Sequence, residues 1–413
     1  MPTIAILGTM DTKGEEHAFV AEQIRRRGHQ VLVIDVGTLG EPVLKPDVTR
    51  QQVAQAAGAD LAAVAKRQDR GEAIAMMSKG APVVLAKLVD AKKIDGVISL
   101  GGGGGTAIGT AAMRALPIGF PKLMVSTLAS GNTSQYIGVK DIVMFPSIVD
   151  VAGLNRISRQ ILTRAAGAIC GMVESVENPP DNLADKPVIV ASMFGNTTDC
   201  VQAARKILEH AGYEVLVFHA TGTGGRTMES LIETGLVAGV LDITTTEWAD
   251  ELVGGFLSAG PTRLEAAAKH GVPAIVTPGC LDMVNFHAPE TVPAKFKGRN
   301  FYQHNPQVTL MRTTPEECAQ LGKIIADKLN ASKGPVTVLL PLQAISVISA
   351  PGQKFCDPAA DKALFETLKK NLRTGIKVVE MDCAVNDPRF AEACAKELLE
   401  NMAKPHSVSF TVS

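Results

Sequence analysis

The stretch "TIAILGTMDTKGEEHAFVAEQIRRRGHQVLVIDVG" from Thr3 lies over "PVIVASMFGNTTDCVQAARKILEHAGYEVLVFHAT" from Pro187 without a gap, so Gly28 falls on Gly212 at an offset of 184 residues. Each copy is an apolar β-rich run, a polar turn, a helix of period near 3.6, a glycine C-cap and a second apolar strand. That is a βαβ unit met twice. The agreement continues through "IDGVISLGG" against "VAGVLDITT", "GFPKLMVST" against "GVPAIVTPG" and "DIVMFPS" against "QVTLMRT". Strands that alternate with helices and are apolar on both faces predict an open parallel sheet in each half. At 413 residues the chain exceeds one ordinary core. "SVENPPDNLADKP", residues 175–187, is polar with a double proline and reads as the linker. The expected class is therefore α/β, with domains at 1–178 and 187–413. The second half adds "GPVTVLLPL", a helix after "DPAAD", "IKVVEMD" and a closing helix from about Asp387.

Composition narrows the function classes. Lys plus Arg number 41 against 42 for Asp plus Glu, and 4% of residues are aromatic, so neither a basic field nor stacking platforms point to nucleic acid. Seven cysteines with no CxxC pair read as reduced thiols of a cytoplasmic protein. The N-terminus begins a strand at once, without the basic n-region of a signal peptide, and no apolar run nears the roughly 20 residues of a membrane helix.

In open parallel sheets ligands bind off the carboxyl ends of the strands, where the strand order reverses. After the first strand, "GTMDTKGEE" is no P-loop. Thr9, Asp11, Thr12 and Lys13 nonetheless bring hydroxyls, a carboxylate and an ammonium to a helix N-terminus, which suits phosphate; Asp11 or Thr12 as a plain N-cap is the alternative. Asp35 closes "VLVIDVG" where a ribose-binding acid would sit, or as a solvated loop charge, and its repeat partner is His219. The third strand runs into five glycines, Gly101 to Gly105, where the second copy has Thr244, Thr245, Thr246 and Glu247. Glycine is thus not needed merely to turn from strand into helix.

Successive N–H groups of Gly102, Gly103, Gly104 and Gly105, with the Thr106 hydroxyl, form an anion nest ahead of a helix. Gly102-x-Gly104-x-x-Ala107 satisfies a degenerate dinucleotide pattern. No acid ends the next strand, however, so a phosphate cradle is favoured over a nicotinamide fingerprint. Gly103→Val is expected to abolish anion binding. Beyond the fourth strand, Ser126, Thr127, Ser130, Asn132 and Thr133 surround Gly131, as a further part of the cradle or as an ordinary turn.

The second half offers Gly222, Gly224, Gly225 and Arg226 as another anion site. Cys280, Asp282, Asn285 and His287 follow one strand, and His304, Asn305 and Arg312 lie further on. Cys280 with His304, oriented by Glu247, could form a nucleophile pair, against Cys280 as a small buried hydrophobe. His219, His287 and His304 lack HxH or HExxH spacing. Thr314 and Glu317 read as a capping box. In "DVAGLNRISRQILTRAAGAICGMV" the small residues Ala152, Gly153, Ala165, Ala166, Gly167 and Gly171 suit close helix packing, within a domain or across a dimer seam. Asn155 and Arg156 near its start could reach a ligand or end in an exposed turn.

The motifs "GTMDTK", "GGGGGT", "STLASGNT", "DVAGLNRISRQIL" and "HNPQVTLMRTT" resemble, in order along the whole chain, a widespread uncharacterised family of bacterial, fungal and plant proteins. That family includes the N-terminal region of the tomato inhibitor of tobamovirus RNA replication, described as an ATP-binding domain. The resemblance implies two Rossmann-like domains, nucleotide binding in the first, and a homodimer or higher. It carries phosphate-binding roles to Thr9, Asp11, Thr12, Lys13, Gly102 to Thr106, Ser130, Gly131, Asn132 and Thr133. The plant relative's barrel-like C-terminal region has no counterpart here, so a separate barrel-domain protein is a candidate partner.

The leading expectation is an ATP-binding protein with a ligand cleft between the domains, Mg²⁺ bridging phosphates and Asp11 as its ligand. As an enzyme acting on a small molecule, it would draw on Lys13, His219, Glu247, Cys280 and His304 for catalysis. The alternatives are a lyase or hydrolase whose glycine nest holds a substrate phosphate or carboxylate, and a nucleotide-binding sensor or scaffold without turnover.

Overall fold

A computed structural model describes residues 1–177 and 186–404, in two compact units, Met1–Leu183 and Ala184–Ser413. Most of the connector expected at 175–187 lies outside the described residues. The first unit runs β1 (Thr3–Gly8), α1 (Gly14–Arg26), β2 (Gln30–Asp35), α2 (Arg50–Ala56), α3 (Leu61–Arg67), α4 (Arg70–Asp90), β3 (Gly96–Gly101), α5 (Gly103–Arg114), β4 (Lys122–Ser126), α6 (Ser134–Ile137), β5 (Val143–Pro146) and α7 (Arg156–Glu177). Its five strands are all parallel, in the order β2-β1-β3-β4-β5. This is the doubly wound order, with the reversal between β1 and β3.

Alternation along β1 shows why the sheet is covered twice. Ile4 and Ile6 enter one apolar layer with Val20 and Ile24 of α1 and Leu162 and Ile169 of α7. Ala5 and Leu7 enter the other with Val53 of α2, Met77 and Leu85 of α4 and Ile108 of α5. Side chains of period 2 meet helices on both faces, so the strand is apolar throughout. Ala165 and Ala166 are fully buried in the first layer, where α7 packs beside α1 in its own unit. Asn155 caps α7, its Oδ1 accepting from the N–H groups of Ile157 and Ser158, both at 2.9 Å.

The second unit repeats the plan with β6 (Val188–Met193), α8 (Thr198–His210), β7 (Glu214–His219), α9 (Thr223–Ile232), β8 (Val237–Thr244), α10 (Glu247–Val253), α11 (Glu265–His270) and β9 (Ala274–Gly279). An excursion follows, β10 (Met283–Phe286), β11 (Phe301–Asn305) and β12 (Val308–Arg312). Then come α12 (Pro315–Asn330), β13 (Val336–Pro341), α13 (Pro358–Asn371), β14 (Lys377–Met381) and α14 (Pro388–Ala403). The parallel sheet is ordered β14-β13-β9-β8-β6-β7, again reversing beside its first strand.

One sequence equivalence is corrected. β12 pairs antiparallel with β10 and β11 in a separate three-stranded sheet, so "QVTLMRT" is not the counterpart of β5. The counterpart is β13, which is parallel to β9 and β14. The capping box at Thr314 and Glu317 forms as expected, and Asp387 caps the closing helix.

Candidate functional site

The β1–β3 reversal puts two turns side by side at the carboxyl ends of the strands, Thr9–Lys13 and the glycine run. In the first turn the polar groups are largely spent on the protein. Asp11 Oδ2 accepts from the N–H groups of Leu39 at 2.7 Å and Gly40 at 3.1 Å, and it lies 3.8 Å from the Arg50 guanidinium. Asp35, fully buried, accepts from Met10 N–H at 3.1 Å and Gly37 N–H at 2.8 Å and sits 3.3 Å from Arg50 Nε. Two carboxylates and one guanidinium thus tie the loop after β2 to the loop after β1.

Asp35 is a buried loop tie rather than a solvated loop charge: its Oδ1 is spent on the two N–H groups, and its Oδ2 faces Arg50 without a hydrogen bond. The contacts of Asp11 all fall on Oδ2, while its Oδ1 is buried without a hydrogen-bond partner. Among the described residues no group of three or more His, Cys, Asp or Glu is arranged to hold a metal. Neither Asp11 nor Thr12 caps α1, whose N-cap position is Lys13. Lys13 Nζ donates to the Val151 carbonyl, and the Thr9 and Thr12 hydroxyls pair at 2.8 Å. Beneath Gly8 lies His17, fully buried, its Nδ1 2.6 Å from the Lys13 carbonyl. Burial pushes its pKa down to about 4, so the imidazole is neutral.

The glycine run divides into two kinds of position. A Cβ on Gly101 would come within 2.8 Å of Gly105 Cα, one on Gly104 within 2.9 Å of Ile74 Cδ1, and one on Gly105 within 3.3 Å of the Leu100 carbonyl. Backbone packing fixes Gly101 and crowds Gly105, while Gly104 is opposed by the end of the Ile74 side chain. At Gly103 a Cβ meets nothing within 4 Å, and at Gly102 only Thr127 Oγ1 at 3.7 Å. Neither residue has positive φ. Their bareness is required by neither backbone geometry nor the protein's own packing.

Gly102 is the N-cap of α5 and offers no side-chain cap. The first N–H groups of the helix therefore lack partners within it, and the positive end of its dipole is uncovered. Arg70, at the start of α4, brings Nη2 within 3.9 Å of the place a Gly104 Cβ would take. It is exposed and makes no ion pair among the described residues. Sequence reading missed it, because an arginine in a polar helix start carries no local signal.

Thr106 is corrected: its hydroxyl is buried and bonds Ser126 Oγ at 2.7 Å, with Leu128 N–H also donating to Ser126 at 3.0 Å. Both hydroxyls are engaged in locking the turn. Asn132 Oδ1 takes the N–H and hydroxyl of Ser134, the local turn alternative. Ser130 and Gly131 are exposed, and Thr133 occupies the N-cap of α6 without a side-chain bond. Off β4 and β5 opens a cavity of about 470 Å³ lined by Ser126, Thr127, Ser130, Pro146, Ser147, Ile148, Val149 and Asp150. Ile148 has φ 65°, and Val149 N–H reaches back to the Ser147 carbonyl at 2.7 Å, a γ-turn. A β-branched residue held there costs about 1–3 kcal/mol.

In the second unit the corresponding chemistry is consumed internally. Glu247 Oε1 accepts from Gly222 N–H at 2.7 Å and Gly225 N–H at 3.0 Å, so the expected second anion nest is filled by a carboxylate of the chain itself. Its Oε2 meets Arg263 Nε at 2.7 Å, while Asp242 takes Arg263 at 2.6 and 2.7 Å and Glu229 at 3.1 Å. Burial opposes the Arg263 charge, but these carboxylates hold its pKa well above the ordinary value. Burial also raises Glu229.

The Cys280, His304 and Glu247 grouping is not formed. Cys280 is fully buried among Met283, Leu310, Ile348 and Phe355, and burial pushes its thiol up. His304 is exposed on β11, and Glu247 is committed to Arg263. His219 packs its ring 5.3 Å from Phe194, and His287 stacks 3.9 Å from Phe256. Arg312 pairs with Asp361 at 2.6 Å, and Asp282, bonded to Ser346, is raised by burial to about 6. A separate cavity of about 560 Å³ lies off β13 and β14, with Cys356, the exposed thiol, among its lining residues.

Fold and site together define a Rossmann-like α/β protein of two repeated units, in which the first carries an uncovered glycine-rich helix start. The chain belongs to the uncharacterised protein family UPF0261, whose N-terminal domain matches residues 2–178 and whose C-terminal domain matches residues 186–402. A UPF0261 protein of Clostridium tetani is 51% identical over 402 residues, covering 97% of this chain and 99% of the relative. The tomato ToMV resistance protein Tm-1(GCR237) is 39% identical over 439 residues, 98% of this chain and 57% of that protein. Among solved structures, a UDP-N-acetylglucosamine 2-epimerase from Rickettsia bellii is 13% identical with a TM-score of 0.24, covering 97% of this chain and 95% of that one. No helix among the described residues is long and apolar enough to cross a membrane.

Proposed function

We propose that the first unit binds the phosphate of a small phosphorylated metabolite at the start of α5, in the cytoplasm, with ATP the first ligand to test. The observation that carries this reading is the pair Gly102 and Gly103, bare without any demand from φ or packing, at the reversal point of the sheet. Free N–H groups and the helix dipole favour an anion there, and the exposed Arg70 guanidinium adds a positive charge. Lys13 is not counted among the phosphate ligands, because its ammonium is held by Val151. The contrast with the second unit supports the reading: there Glu247 neutralises the equivalent kind of nest, and here no carboxylate does.

The test is calorimetric titration of the full chain with ATP, ADP, AMP and inorganic phosphate. Saturable binding of at least one of them, lost in Gly103→Val, is the expected result. No binding of any at millimolar concentration overturns the proposal. Mass spectrometry after incubation with ATP and candidate metabolites separates an enzyme from a non-catalytic binder.

A further inference from the structure

We infer that the cavity off β4 and β5 is a subsite for a neutral polyol, the sugar portion of the phosphorylated ligand whose anion lies at Gly102 and Gly103. The inference rests on that phosphate reading and deepens it. Cavity and cradle are contiguous through Thr127, which lines the one and lies 3.7 Å from the Cβ position of Gly102 in the other. At about 470 Å³ the space is within the range of small-ligand pockets, ~300–1,000 Å³.

Its chemistry selects the occupant. The hydroxyls of Ser126 and Ser147 are spent, on Thr106 and on the Val149 carbonyl. Thr127, Ser130 and Asp150 have side chains without partners among the described residues, so two hydroxyls and one carboxylate are available to a ligand. A carboxylate accepts hydrogen bonds and donates none at neutral pH, which suits ligand hydroxyls. The lining contains no lysine, arginine or histidine, so a second anionic group would face Asp150 uncompensated. It contains no aromatic ring, so a flat base would find no stacking partner.

Ile148 supplies the apolar wall. It is 71% exposed, and the γ-turn that aims it is fastened by Ser147, whose hydroxyl donates to the Val149 carbonyl at 2.7 Å and whose N–H donates to the Ser126 carbonyl at 3.1 Å. A strained, exposed isoleucine beside three open polar groups matches a pyranose or furanose, which has an apolar C–H face and hydroxyls at its rim.

The test measures affinity of the full chain for inorganic phosphate, ribose 5-phosphate, glucose 6-phosphate and AMP. Each sugar phosphate that fits should bind at least about tenfold tighter than phosphate. That ratio should fall toward one in Asp150→Ala and in Ile148→Gly, and the latter removes the wall while relieving the left-handed backbone. Preference for ribose 5-phosphate and AMP over glucose 6-phosphate marks the nucleotide source; the reverse marks a free sugar phosphate. If phosphate binds but no sugar adds affinity, or if the ratio survives both substitutions, the subsite is refuted while the phosphate reading stands. If neither phosphate nor any sugar phosphate binds, both fall.

Discussion

Replacing Gly103 by alanine separates what the fold needs from what a ligand needs. The added methyl meets nothing within 4 Å, and the residue occupies the first position of α5 with negative φ. Glycine in a helix is disfavoured against alanine by about 0.5–1 kcal/mol, so Gly103→Ala should stabilise the unliganded protein by up to that amount. For a unit of this size that raises the unfolding midpoint of the first unit by about 1–4 °C. The same methyl projects from the bare backbone that an anion must approach, so affinity should fall at least about tenfold, and further in Gly103→Val. Differential scanning calorimetry reads the first quantity and isothermal titration the second. A protein that is both stabilised and fully competent to bind would show that the glycine serves no ligand. A destabilised one would show that the open space above Gly103 is occupied in solution by the chain.

Arg70→Ala should weaken anion binding about tenfold and flatten its dependence on salt without moving the unfolding midpoint, since the side chain is exposed; an unchanged salt dependence excludes it from the site. Glu247→Ala breaks a buried pair and strips the acceptor from two N–H groups. The expected cost is about 3–5 kcal/mol by denaturant unfolding, and sulfate should recover part of it in the variant and not in the parent. Asp250 is raised by burial to about 7, although it accepts from Asn285 and Leu257. A carboxyl raised on folding favours the folded state most below its unfolded value near 4, and that stability drains as pH rises from 4 to 7. The loss is on the order of 4 kcal/mol. Asp250→Asn should remove that slope; parallel pH profiles of parent and variant would refute the assignment.

Local signals explain which parts of the structure were legible beforehand. β1, α1 and β2, and their copies β6, α8 and β7, were readable because apolar runs, a 3.6 period and a C-cap glycine at Gly28 and Gly212 all act within a few residues. β12 was misplaced because its five residues are apolar in the manner of any buried strand, and only pairing partners distinguish an antiparallel ribbon from a parallel sheet. The glycine run announced itself by composition. Arg70 and Asp150 did not: the first is an exposed charge in a polar helix start, and the second is a single exposed carboxylate in an apolar loop. Glu247 gave no warning that it would cap a helix start more than 20 residues before it in the chain, a purely tertiary event.

The repeat supplies its own control for the site. Both units share the doubly wound order and place turns at the same carboxyl ends, so whatever differs between them is not owed to the scaffold. In the second unit the buried polar groups there close on one another, with Arg263 drawing in Asp242, Glu247 and Glu229. Such a network satisfies the backbone donors at α9 and leaves them nothing to offer a ligand. In the first unit the network of Asp11, Asp35 and Arg50 closes the β1 and β2 loops but stops short of α5. The helix start, Arg70, Thr127 and Asp150 are left with donors and acceptors that no described residue uses. These groups are solvated rather than strained, so the asymmetry carries no stability cost; it is the feature on which the proposed phosphate site rests, and the Gly103 and Arg70 variants test it.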